Sequence, residues 1–330
     1  MADDTVVVTD HFFEDLSVER EYLEGTAAVE ELDADDPTER RRQLASADAL
    51  LVSQFEVDAD VIADLDHCAV VSRYGIGVDN VDVEAATERG IHVGNAPTYG
   101  VEEVAVHTVA LLLNLARRVK PIDDVVGGGG WREAPPTFRR GDGTAVDLPI
   151  HRFSTATVGF VGFGNIGRAV AERLGGFDVN LLVADPYLDP ADVAEYGADL
   201  VGFDEVIDRA DYVTIHSPLT EETRDRFDVE VFERMKETAV LVNCARGPIV
   251  DTDALVAAVE GGEIRSAALD VFATEPLPDD HPVRDHDRVL TTPHVAYYSE
   301  ESDEHRRRQA VENVRAVLEG DSPVYPVNDV

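Results

Sequence analysis

The sequence predicts an α/β protein of two doubly wound domains, the second inserted into the first. Three observations carry that prediction. Short runs rich in β-branched residues alternate with amphipathic segments over the first hundred residues, and the alternation resumes from 157 to 296. One run of the second set leads directly into Gly162, Gly164 and Gly167. Such alternation builds parallel sheets covered by helices, and 330 residues exceed the usual reach of a single core.

In chain order, the first strands are expected at "TVVVTD" (5–10), "DALLVS" (48–53), "CAVVSRY" (68–74) and "GIHVGNA" (90–96). Between them, "DADVIADLD" and "NVDVEAATERG" place apolar residues at helical spacing behind acidic starts. "VEEVAVHTVALLLNLARRV" (101–119) reads as one long helix, apolar enough to lie in a core or between subunits. The Gly-, Pro- and charge-rich stretch 127–147, with Trp131, reads as loop. "TVGFVGFG", "NLLVADP", "DYVTIHS", "AVLVNCA", "SAALDVF" and "VLTTPHV" are the strands of the second set. "DEHRRRQAVENVRAVLEG" (303–320) closes as an amphipathic helix with Val311, Val314 and Leu318 on one side. Periodicity alone does not establish that this helix returns to the first domain.

Composition narrows the function class. No run of about 18 apolar residues exists, so no membrane span is expected. The acidic start "MADDTVVVTD" does not read as a signal peptide. Cys68 and Cys244 are the only cysteines, far apart and without metal-ligand spacing, as for reduced thiols of a cytoplasmic protein. The net charge of −39 leaves no basic stripe for nucleic acid, and Lys120 and Lys236 are the only lysines. Acids spread through periodic segments argue for a folded halophilic protein whose carboxylates concentrated salt screens, the Debye length falling to about 3 Å at 1 M. An ordinary acidic protein is the competing reading.

The glycine triplet is weak by itself and strong in context. A strand precedes it, a helix carrying Ala169 and Ala171 follows, and the next strand ends in Asp185, near the spacing of a Rossmann-like dinucleotide fingerprint. Gly162 permits the tight turn, Gly164 admits a pyrophosphate, and the helix N-terminus receives the phosphates. Asp185 accepts from the adenosine ribose and repels a 2′-phosphate, which favours NAD over NADP; a plain turn residue before Pro186 is the alternative. Three further strand ends lie on the same edge and offer Arg246, Glu275 and His294. Hydride transfer to a carbonyl needs a cation, a proton donor and a group that tunes the donor, and these supply all three. A turn-capping arginine, a solvated glutamate and a core histidine are the bland readings.

These motifs together resemble the D-2-hydroxyacid dehydrogenase family, including its phosphoglycerate dehydrogenases and the C-terminal-binding-protein branch. The likeness runs through "RYGIGVDNVDVEAATERGIHVGNAP", "VGFVGFGNIGRA", "HSPLTEET", "NCARGPIVD", "LDVFATEP" and "TPHVAYYS". It implies a flavodoxin-like substrate domain of residues 1–98 and 299–330, and a Rossmann domain of 99–298 with the long helix at a dimer interface. It implies Arg246, Glu275 and His294 as the catalytic set. Candidate cofactor contacts are Thr108, Gly162, Phe163, Asn165, Ile166, Gly167, Asp185, Ser217, Pro218, Thr223, Cys244, Ala245, Asp270 and His294, together with Gly164. Candidate substrate contacts are Arg73, Gly75, Ile76, Gly77, Arg246 and Tyr297. Val106 stands where many members carry glutamate, and Tyr297 where the C-terminal-binding-protein branch has tryptophan. The short stretch after the last helix leads us to expect none of the regulatory domain of longer phosphoglycerate dehydrogenases.

Arg246 then binds the keto acid and polarises its carbonyl, matching a carboxylate with a planar fork. His294 gives or takes the proton, and Glu275 pairs with the imidazolium and raises its pKa. Cys244 packs rather than reacts. No metal is needed. Tyr297 caps the pocket beside the substrate side chain, which suits a medium-sized or aromatic keto acid better than a phosphorylated one. The expected function is NAD-dependent oxidoreduction of small D-2-hydroxy and 2-keto acids by a homodimer. An NAD(H)-sensing regulatory protein with residual activity is the alternative.

Overall fold

A computed structural model describes residues 4–33, 36–127, 149–284 and 286–330. The predicted loop from 128 to 147, with Trp131, lies outside the described residues. Contacts divide the chain into two compact units, one running through Gly100 and completed by Tyr298–Val330, the other Val101–Tyr297.

The first unit runs β1 (Asp4–Val8), α1 (Ser17–Tyr22), β2 (Ala27–Glu31), α2 (Pro37–Ser46), β3 (Ala49–Val52), α3 (Ala59–Asp64), β4 (Val70–Arg73), α4 (Val83–Glu88) and β5 (His92–Gly94). Its described strands form one parallel sheet in the order β2-β1-β3-β4-β5, the flavodoxin-like arrangement. Helices cover both faces, which is why β3 is buried at all four residues and shows no alternation. Asp36, Asp58 and Asp82 cap α2, α3 and α4, so many acids here are helix starters as well as surface charge. β2 was not predicted. It is a half-exposed edge strand, "AAVEE", whose partner supplies the order its sequence does not signal.

The second unit opens with α5 (Val101–Arg117) and α6 (Val119–Gly127) in place of the single helix expected over 101–119. Arg118 breaks it with φ of 56°. Pro121 explains the break, because its ring would clash with the carbonyl four residues earlier in a continuous helix. In the first turn of a new helix, its missing N–H costs nothing. Then follow β6 (Thr157–Val161), α7 (Asn165–Leu174), β7 (Asn180–Ala184), α8 (Pro190–Ala194), β8 (Ala198–Leu200), α9 (Phe203–Arg209), β9 (Tyr212–Ile215), α10 (Val229–Arg234), β10 (Val240–Asn243), α11 (Thr252–Gly261), β11 (Ser266–Leu269) and β12 (Val289–Thr291). The described strands are parallel in the order β12-β11-β10-β9-β6-β7-β8. Chain order reverses between β6 and β9, the switch point at which such sheets bind ligands.

The last helix, α12 (Glu300–Leu318), packs Val311 and Val314 against Val6, Val8, Leu51 and Val70 of the first unit. Polar contacts fix it there. Asn313 donates to Ser72 Oγ at 3.1 Å and to the Asn95 carbonyl at 2.9 Å. Arg307 pairs with the fully buried Glu19, which also accepts from the Tyr74 hydroxyl at 3.1 Å. No described helix is long and apolar enough to cross a membrane.

Candidate functional site

The glycines after β6 serve three different needs. Gly162 has φ of 87°, and a Cβ there would stand 2.5 Å from the Ser217 backbone nitrogen. Gly164 begins α7, and a Cβ on it would meet nothing within 4 Å. Gly167 packs under the turn, its Cβ position 3.1 Å from the Gly162 carbonyl oxygen. Open space therefore lies over Gly164, beside the first N–H groups of α7 at Asn165 and Ile166, which have no acceptor within a helix. Phe163 turns its ring into the core, edge-on to Phe160, and its N–H donates to Asp185 Oδ2 at 2.9 Å. Asp185 Oδ1 accepts from Tyr187 at 3.0 Å. Two backbone donors thus hold this carboxylate at the end of β7.

Beyond β9, the His216 backbone donates to Val161 at 2.7 Å, and burial pushes the imidazole down to about 3, so it stays neutral. Its Nδ1 and the Ser217 Oγ are buried without a hydrogen-bond partner. Thr223 Oγ1 donates to the Pro218 carbonyl at 2.8 Å, closing its own turn. Thr108 is fully buried on α5. Burial raises the Cys244 thiol to about 12, which makes it a packing group and no nucleophile. A glycine turn at the switch point, open space over a helix start, an anchored carboxylate and two orphaned buried polar atoms fit a dinucleotide.

The turn after β10 carries Arg246. Fully buried Asn243 clamps it, accepting from the Ala245 N–H at 3.0 Å and donating to the Arg246 carbonyl at 2.9 Å. Gly247 follows, and a Cβ there would stand 1.9 Å from the Phe272 carbonyl carbon. Only glycine lets this turn press against the loop after β11. That loop presents Glu275, whose Oε1 accepts from the Phe272 N–H at 2.8 Å and whose Oε2 lies 2.6 Å from His294 Nδ1. Burial opposes the Glu275 charge. The His294 hydrogen bond and charge, the Phe272 N–H and the Arg246 charge outweigh it and hold the carboxyl below its ordinary range.

His294 stands past the end of β12 with φ of 52°, in the left-handed region. The runs "DVF" and "PHV", expected as strand, leave the sheet here. The reason is Asp270, 1% exposed, whose carboxylate accepts from Thr292 Oγ1 (2.6 Å), Val295 (3.0 Å) and Ala296 (2.9 Å) in place of a neighbouring strand. Tyr297 sits edge-on to the His294 ring, with centroids 6.3 Å apart, and packs on the core beneath.

In the first unit, Arg73 ends β4 and turns its guanidinium onto the Ser53 and Gly77 carbonyl oxygens. Gly75 and Ile76 are tied in turn by the Ala96 N–H and by Asn95 Nδ2. Arg73 thus closes its own loop, a task the sequence does not signal.

Sequence reasoning passed over Asn243, Gly247, His107 and Thr292. The only signal available was a glycine directly behind the strand-end arginine. Gly247→Ala should lower unfolding free energy by about 3 kcal/mol or more, beyond ordinary overpacking, because backbone cannot give way as a side chain does. Gly164→Ala, in open space, should stay within about 0.5 kcal/mol of wild type. Urea melts at fixed salt compare them, and equal midpoints would contradict the close approach at Gly247.

The sequence matches the family described as D-isomer specific 2-hydroxyacid dehydrogenase, NAD binding domain, over residues 109–296. It is 39% identical over 298 residues to a D-3-phosphoglycerate dehydrogenase of Mycobacterium leprae, covering 90% of this chain and 54% of that one. It is 37% identical over 290 residues to a glyoxylate reductase of Thermofilum pendens, covering 87% and 83%. The fold is similar to D-lactate dehydrogenase from Aquifex aeolicus complexed with NAD and lactic acid, with a TM-score of 0.83, 28% identity and 96% of each chain covered. The chain spans about half the length of the phosphoglycerate dehydrogenases it matches. The matched span holds the glycine turn and all three strand-end residues, and the chain belongs to the D-isomer specific 2-hydroxyacid dehydrogenase family, with NAD as its cofactor.

Proposed function

We propose that the chain transfers a hydride between NAD(H) and a small D-2-hydroxy or 2-keto acid. The observation that carries this is the His294–Glu275 contact of 2.6 Å beside Arg246 at the binding edge of the sheet. When bound, the nicotinamide ring supplies or accepts the hydride. Glu275 occupies His294 Nδ1, so Nε2 is the nitrogen that exchanges a proton with substrate. In reduction, the Nε2–H bond breaks as the new alcohol O–H forms, and Glu275 faces the resulting neutral imidazole; in oxidation the proton returns. Glu275 holds charge and moves no proton, in keeping with its lowered pKa. Arg246 binds the substrate carboxylate and polarises the carbonyl, its fork matching the planar keto acid. Gly164 leaves room for the pyrophosphate, and Asp185 faces the adenosine ribose.

In this reading residues 1–98 with 299–330 are the substrate domain and 99–298 the cofactor domain, with the loop Arg73–Gly77 meeting the substrate carboxylate. Arg73 is already engaged with two carbonyl oxygens, which supports a keto acid without phosphate, and Tyr297 flanks its side chain. Exposed Val106, Val119 and Val126 on α5 and α6 support a homodimer. The buried thiols of Cys68 and Cys244 suit a cytoplasmic protein. The charge of −39 suits one that works in concentrated salt. The regulatory alternative is not favoured, since the relatives compared carry the names of enzymes.

Loss of NADH absorbance with glyoxylate, phenylpyruvate and 3-phosphohydroxypyruvate in about 1 M KCl or more tests the function. Turnover should be highest with an unphosphorylated acid and fall in dilute buffer, and sedimentation of the same sample should give a dimer. No turnover with any 2-keto acid would refute the proposal.

The Glu275 carboxylate also sets a pH dependence. Its stabilising contact is full above the ordinary carboxylate range and is lost as pH falls through the lowered value. Reduction needs protonated His294, so its rate falls as pH rises. Glu275→Gln removes the counter-charge, and the alkaline limb of the reduction profile should move to lower pH. An unmoved limb would show that the pair does not govern the proton.

A further inference from the structure

We infer that His107, on α5, is a positioning residue for His294 and acts through Thr292 and Asp270. The inference rests on the reading of His294 as the acid-base group. His294 occupies a backbone conformation that side chains larger than glycine rarely adopt, with φ of 52°. Its N–H donates to the Asp270 carbonyl at 2.7 Å and to the Thr292 carbonyl at 3.1 Å. The Asp270 carboxylate takes the Val295 and Ala296 N–H groups after the histidine and the Thr292 hydroxyl before it, so one aspartate grips the loop on both sides.

A hydroxyl has one proton, and the shortest contact of Thr292 Oγ1 is with Asp270 Oδ1 at 2.6 Å. A carboxylate only accepts, so that proton points to Asp270. The Thr292 oxygen must then accept from its other neighbour, His107 Nε2, at 3.1 Å. The direction of the chain is thereby assigned: His107 Nε2–H donates to Thr292, and Thr292 donates to Asp270. The His107 Nε2 also stands 3.9 Å from Asp270 Oδ1, close enough to favour the negative charge of a side chain only 1% exposed. His107 is itself about a quarter exposed and belongs to a helix 185 residues away in sequence. Thus α5 fastens the loop bearing His294 to the body of the cofactor unit by a polar chain.

Three variants test this: Thr292→Val, equal in shape without the relay; His107→Phe, without the donor; and His107→Gln, which restores an N–H. Reduction kcat should fall about 10- to 100-fold in the first two, the scale of a small misplacement of a catalytic group, and recover largely in His107→Gln. NADH affinity, read by fluorescence, should stay within about 2-fold, and the double variant should be no slower than Thr292→Val. Nitrogen NMR of the histidine rings provides a readout independent of turnover: wild type should show the His107 proton on Nε2, slow to exchange, and Thr292→Val should lose that protection. A protonated Nδ1 with bare Nε2 in wild type would overturn the assignment even if the protein were inactive. Wild-type kcat in His107→Phe, or equal losses of kcat and NADH affinity, would overturn the positioning role. An inactive wild type with a protected His107 Nε2–H would instead count against the functional reading and leave the relay standing.

Discussion

The turn at Gly247 lies so close to the loop after β11 that a Cβ would stand 1.9 Å from the Phe272 carbonyl carbon. The relation between Arg246 and Glu275 depends on that approach. β10 and β11 are parallel and in register, Asn243 beside Leu269, so their following turns emerge at one level of the sheet. Asn243 ties the first turn to itself, and the Asp270 N–H reaches back to the Asn243 carbonyl at 3.0 Å. Asp270 then holds the loop after β12. Three adjacent strand ends become one rigid surface through backbone contact and two buried polar side chains, and the charged groups stand on it.

This arrangement prepares the site electrostatically. Glu275 remains charged although it is partly withdrawn from water, because two hydrogen bonds and two cations outweigh its desolvation. Nothing needs to reorganise for the imidazolium to meet a counter-charge, since the pair is already 2.6 Å apart. The neutral His216 and the inert Cys244 nearby show burial acting the other way, suppressing ionisation where no partner is provided.

Much of this was legible in the sequence because parallel strands buried on both faces read as continuous apolar runs, and because the glycine turn has a characteristic neighbourhood. β2 and β8, short strands at sheet edges, carry little of either signal. The break between α5 and α6 was readable in Pro121 and was masked by the apolar run around it. Arg246, Glu275 and His294 stood out as polar residues ending apolar runs. Asn243, Gly247, Thr292 and His107 did not: the last three meet partners far away in sequence, and Asn243 closes its own turn from inside a strand end that reads as buried. Arg73 looked like a second substrate cation, and its contact with its own loop appears only once β3 and β4 lie side by side.

In the proposed reaction Arg246 and His294 work as one preassembled unit. Single-turnover hydride transfer, followed by NADH absorbance for His294→Gln, Arg246→Gln and the double variant, tests it most directly. Each single change should slow transfer about 100-fold or more, and the double variant should be within about 3-fold of the slower single one. Losses that multiply in the double variant would mean two independent contributions and would contradict it.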